Sequence, residues 1–169
     1  MTRLADALYS VVLTLWVGSL WAVGGLVTPL LFAQLADRSL AGNIAGILFT
    51  GQTWLGVACA AYLLLFQVAR RGVGALRSGA FWLVLLMLAL VLAGHFGIQP
   101  ILAHLKAEAW PRSVMESVLR DRFMAWHGVS SGLYLIECLA GLALVVLQSR
   151  PGFRWRHPDG GSPTTVGRR

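Results

Sequence analysis

Four apolar runs, at residues 7–35, 41–69, 81–103 and 123–147, leave this chain few ways to fold. A hydrocarbon core about 30 Å thick takes roughly 20 apolar residues as a helix, and each run supplies them. Open sheet edges cannot face lipid, and the runs show no period-2 alternation, so helices are the reading. The first run is too long for the centre of a cleaved signal peptide and follows only the weak positive start Met1-Thr2-Arg3, so it reads as a retained span. Of the 169 residues 57% are hydrophobic and 12% charged, which makes lipid rather than water the main solvent and leaves no room for a sizeable soluble domain. The expectation is an all-α integral membrane four-helix bundle over 1–148, followed by a basic, Gly- and Pro-rich tail over 149–169 that reads as a disordered strip attracted to anionic lipid.

The net charge of +7 does not point to nucleic acid, because no basic residue lies inside the apolar runs. Arg3, Arg70, Arg71, Arg77, Arg150, Arg154, Arg156, Arg168 and Arg169 fall on one side of the alternating spans; Arg38, Lys106, Arg112, Arg120 and Arg122 fall on the other. Nine against five places both termini in the cytoplasm. Cys59 and Cys138 lie deep in apolar runs as small hydrophobes, with no disulfide framework implied. Asp37-Arg38-Ser39 reads as a tight hairpin between the first two spans. From Trp110 to Arg122, Trp110, Val114 and Val118 recur at i, i+4 and i+8, with Pro111 at a first helical position, so an amphipathic helix is expected there, lying on the surface or extending the fourth span.

Helices in lipid associate through small residues that let backbones approach. Gly18, Ala22 and Gly25 in the first span, and Gly42, Gly46 and Gly56 in the second, read as such packing positions. Trp16-Val17-Gly18, Pro29-Leu30-Leu31-Phe32, Gly42 with Phe49, and Phe123 followed by His127-Gly128-Val129-Ser130 together resemble a bacterial family of four-helix membrane proteins of unknown function related to vertebrate transmembrane protein 205. The likeness runs from about Leu8 to Leu147. It implies the architecture and a place in a bacterial inner membrane, and implies no activity.

Polar residues inside the spans are few, and each needs a partner or a purpose. Glu137 is the one acidic residue within the four runs, near the middle of the fourth. By depth and helical face, Gln52, His95, Gln99, Tyr134 and Glu137 are expected to form an intramembrane cluster, with His104, His127, Ser130 and Ser131 at an outer level. Three readings stay open. Glu137 is a neutral hydrogen-bonding group that holds helices in register; or His95 and Glu137 handle protons or a cation; or His95, His104 and His127 hold haem or copper, although no close ligand pair such as His-x3-His stands on one helix. There is no phosphate-binding glycine loop, nucleophile elbow or CxxC pair, which weighs against a soluble-type enzyme. The function expected is that of a non-catalytic, transport-associated or accessory membrane component, without a required cofactor. Its partners would be the lipid bilayer and a second copy or another membrane protein, with the structural subunit of a complex as the remaining alternative.

Overall fold

The computed structural model describes residues 2–110 and 114–149, and the basic tail expected over 150–169 lies outside them, as do Pro111 and Arg112. Within the described residues the chain folds into helices, of which four stretches are long and apolar enough to cross a membrane: Leu4–Gln34, Arg38–Arg77, Gly79–Ala109 and Arg120–Ser149. The second and fourth consist mainly of the unbroken α-helices α3 (Arg38–Arg71) and α6 (Arg120–Ser149). The first and third are each interrupted. α1 (Thr2–Trp21) passes through a π-helical segment, Ala22–Val27, into α2 (Thr28–Gln34), and α4 (Gly79–Leu92) passes through Ala93–Ile98 into α5 (Gln99–Ala109).

Both interruptions have the same local cause. Pro29 and Pro100 sit in the first turn of α2 and α5, where a proline lacks the N–H of the preceding ladder and its ring clashes with the carbonyl four residues back. The helix widens ahead of each, so that the Thr28 N–H reaches Val23 and the Gln99 N–H reaches Gly94, both five residues back. The Thr28 hydroxyl donates to the same Val23 carbonyl at 2.8 Å.

Asp37 caps α3, its carboxylate accepting from the Ser39 and Leu40 amides at 2.8 and 3.2 Å. At the far end of α3, Gly72 takes φ +53°, a left-handed turn that a side chain disfavours. Among the described residues between α5 and α6, a 3-10 turn, Val114–Glu116, stands where the amphipathic helix was expected. Trp110 and Val118 are exposed while Val114 is buried, so the three do not share a face. The Ser117 hydroxyl donates to the Val114 carbonyl at 2.8 Å and accepts from the Leu119 amide at 3.2 Å, which diverts the backbone from the helical ladder. Arg120, Asp121 and Arg122 belong instead to the first turn of α6.

The spans pack in a ring, α1 against α3 and α6, and α4 against α3 and α6. The interior follows three- and four-residue spacings: Tyr9, Leu13, Trp16 and Leu20 on α1 meet Cys59 and Leu63 on α3, Val84, Met87 and Val91 on α4, and Leu144 on α6. Leu15, Ile47, Leu65, Phe96 and Leu139 stand exposed, the arrangement of helices whose outer face meets lipid.

Of the expected packing positions, Gly56 is used: an added Cβ would lie 3.0 Å from Trp16 Nε1 and 3.6 Å from Val91. Gly42 faces Phe32 at 3.8 Å. Gly18, Ala22 and Gly25 face out of the bundle, and nothing lies within 4 Å of a Cβ built on Gly18 or Gly46. The reason is that Tyr9, Leu13, Trp16 and Leu20 occupy the inner face of α1, which turns its small residues outward. The close approaches fall instead on Gly24, against Tyr134, and on Gly141, against Val17 and Met87.

Candidate functional site

Of the expected intramembrane polar groups, Gln52, Tyr134 and Glu137 gather around the first span. Gln52 on α3 is buried and donates through Nε2 to Ser19 Oγ at 3.0 Å; the Ser19 hydroxyl donates on to the Trp16 carbonyl at 2.8 Å. From α6, the Tyr134 hydroxyl donates to the Leu20 carbonyl at 2.6 Å, and its ring meets Phe49 edge-on at 5.1 Å. Two helices, α3 and α6, are thus tied by hydrogen bonds to one stretch of α1, residues 16–20.

Glu137 lies one turn from Tyr134 along α6 and is 5% exposed. The Trp16 indole N–H is turned toward its carboxyl but falls short of hydrogen-bond geometry, so Trp16 Nε1 and Glu137 Oε1 are both buried without a formed bond. Cys138, its chain neighbour, is buried beside it.

His95 and Gln99 are not brought into this cluster. His95 lies in the widened turn Ala93–Ile98 with its ring 5.8 Å from Trp54 and 4.9 Å from Phe96, and its buried Nδ1 has no partner. Gln99, one turn on, lines a groove with Asn43, Gly46, Thr50 and Lys106. The expected pairing of His95 with Glu137 has no hydrogen bond or ring contact among the described residues, because the π-turn re-aims the His95 side chain toward α3.

The outer-level residues also part company. His104 is exposed and stands 3.5 Å from Glu108, one turn along the same helix. His127 is exposed and stacks on Phe123 at 5.8 Å, with Lys106 over the same Phe123 ring. The exposed Ser131 hydroxyl donates to the His127 carbonyl at 2.9 Å, and Ser130 is half-buried. No contact joins any two of His95, His104 and His127, and among the described residues no three His, Cys, Asp or Glu side chains are grouped to hold a metal ion.

A second polar level escaped the sequence reading. Gln67 on α3 is 1% exposed and both its amide atoms lack a partner, as does Gln148 Nε2 on α6. Above them Arg70 pairs with Asp6 at 2.5 Å, joining the end of α3 to the start of α1. The signal was present in the spacing of Gln52, Gly56, Cys59, Leu63 and Gln67, which places both glutamines on the inner stripe of one helix.

A ring of four apolar helices sealed by intramembrane hydrogen bonds defines a multi-pass membrane protein. A family model described as "Domain of unknown function (DUF4149)" matches residues 11–111, more than half of the chain, and the chain belongs to that family. No curated protein and no solved structure matches it. The matched segment takes in the first three spans, so Tyr134 and Glu137 on α6 lie beyond it, and it carries no link to transmembrane protein 205.

Proposed function

We propose that this protein is a non-catalytic, transport-associated component of a bacterial inner membrane in which Glu137 serves as a proton- or cation-handling carboxyl. The observation that carries the reading is the burial of Glu137 near the middle of α6 with Oε1 unbonded opposite an unbonded Trp16 Nε1. A carboxyl kept only as glue between helices would be expected to close its hydrogen bonds, as Tyr134 and Gln52 do. The excess of basic residues on one side supports cytoplasmic termini. The motifs around Trp16, Pro29 and His127 carry the suggested kinship with transmembrane protein 205.

The test is reconstitution of the full chain in vesicles holding a pH-sensitive dye, with the parent compared with Glu137→Gln and Glu137→Leu. The parent should dissipate an imposed proton gradient faster than empty vesicles. Glu137→Gln, which keeps shape and hydrogen bonding but exchanges no proton, should melt like the parent and lose that flux. A parent no faster than empty vesicles, or a Glu137→Gln variant with parental flux, sinks the reading.

A further inference from the structure

A groove opens sideways between the second and third spans, at the end of the bundle remote from the start of the chain. It holds about 460 Å³ and is walled by Asn43 and Thr50 of α3 and by Gln99 and Lys106 of α5, over a floor at Gly42 and Gly46. The floor is open because a Cβ at Gly46 would meet nothing within 4 Å, and one at Gly42 would meet only Phe32 at 3.8 Å.

The walls are polar where lipid chains would otherwise lie. The side-chain amides of Asn43 and Gln99 form no hydrogen bond among the described residues. The Thr50 hydroxyl donates to the Gly46 carbonyl at 2.9 Å and keeps its lone pairs free to accept. Lys106 is exposed, its ammonium 5.9 Å from the centre of the Phe123 ring.

Depth separates these groups. With the middle of α3 and of the third span placed at the bilayer midplane, a rise of 1.5 Å per residue sets Asn43 and Lys106 about 17–18 Å from it, and Thr50 and Gln99 about 7 Å. The hydrocarbon begins about 15 Å from the midplane. The cation is therefore at headgroup level, while an amide and a hydroxyl line the groove inside the apolar layer.

An anionic phospholipid carries its phosphate at the interface and its ester oxygens just below it, at the level of Lys106 and Asn43, with its chains deeper still. We infer that the groove seats one anionic phospholipid, with its phosphate on the Lys106 ammonium, the Asn43 amide at the same level donating to its phosphate or ester oxygens, and its chains running inward past Gly46. The exposed Ile47, which also lines the groove, offers apolar surface along which a chain would run. The inference does not depend on Glu137.

The test is native mass spectrometry of the full chain released from nanodiscs of mixed phosphatidylglycerol and phosphatidylcholine. The parent should retain one phosphatidylglycerol several-fold in preference to phosphatidylcholine. Lys106→Gln should abolish the preference while some lipid stays bound. Gly46→Leu should fill the floor and lower retention of both lipids without lowering the melting temperature. Equal retention of the two lipids by the parent overturns the inference, as does a Gly46→Leu chain that holds phosphatidylglycerol like the parent. Should Gly46→Leu fail to fold, Asn43→Leu decides: phosphatidylglycerol retention unchanged from the parent overturns it as well.

Discussion

The Tyr134 hydroxyl donates to the Leu20 carbonyl at 2.6 Å, across 114 positions of sequence, at the point where α1 gives way to the π-helical segment Ala22–Val27. The two features support one another. A π-turn breaks the regular ladder and leaves carbonyl capacity over, and a side chain from a neighbouring helix can take it up. Gly24 makes room for the ring, since a Cβ there would stand 2.3 Å from Tyr134 Cε1.

Tyr134→Phe should therefore lower stability by about 1 kcal/mol, the size of an interhelical hydrogen bond in a membrane. Gly24→Ala should cost about 1–3 kcal/mol by overpacking against a ring held by its hydrogen bond to Leu20 and its edge contact with Phe49. Combined with Tyr134→Ala, the Gly24→Ala penalty should largely vanish. A double-mutant cycle of thermal unfolding in detergent measures this, and simple additivity would show that the two residues do not meet.

Glycine substitutions separate inner from outer faces. Gly56→Leu and Gly141→Leu should destabilise by a few kcal/mol, because a Cβ alone already comes within 3.0 Å of Trp16 and 3.1 Å of Val17. Gly18→Leu and Gly46→Leu should leave the melting temperature within a degree or two, since nothing in the protomer occupies that space. A large loss at Gly18 would mean that a second copy or another helix packs there.

Gln67 offers an unusual sign. Its amide is buried with both atoms unpaired, so Gln67→Leu removes an uncompensated polar group from the interior at nearly constant volume. The variant should be as stable as the parent or more so, by up to about 2 kcal/mol. A loss above about 1 kcal/mol would instead reveal that the amide is satisfied, by water held between α3 and α6.

Topology is read by reporters. The proposed cytoplasmic placement of both termini predicts that fusions at Arg77 and after Arg150 report the cytoplasm, and fusions near Arg38 and Glu108 the opposite side. An external C-terminus would remove the orientation assigned from the basic residues.

The number of spans, their rough ends and their helical form were legible in the residues alone, for a physical reason: hydrocarbon obliges each crossing segment to satisfy its own backbone, so crossing is a local property of a run of residues. The Asp37 hairpin is likewise local chemistry. Which faces meet is a different matter. A helix in lipid is apolar all round, so no moment distinguishes its inner stripe from its outer one, and Gly18, Ala22 and Gly25 could be assigned to the interior as readily as Tyr9, Leu13 and Trp16. Only the packed bundle decided that the bulky stripe goes in. It also decided the partners of the polar groups: Glu137 and Tyr134 turn to Trp16 and Leu20, while the widened turn before Pro100 carries His95 away toward Trp54. Such pairings depend on rotations of one helix against another, which shape and hydrogen bonding between distant segments set and which spacing along one segment cannot encode.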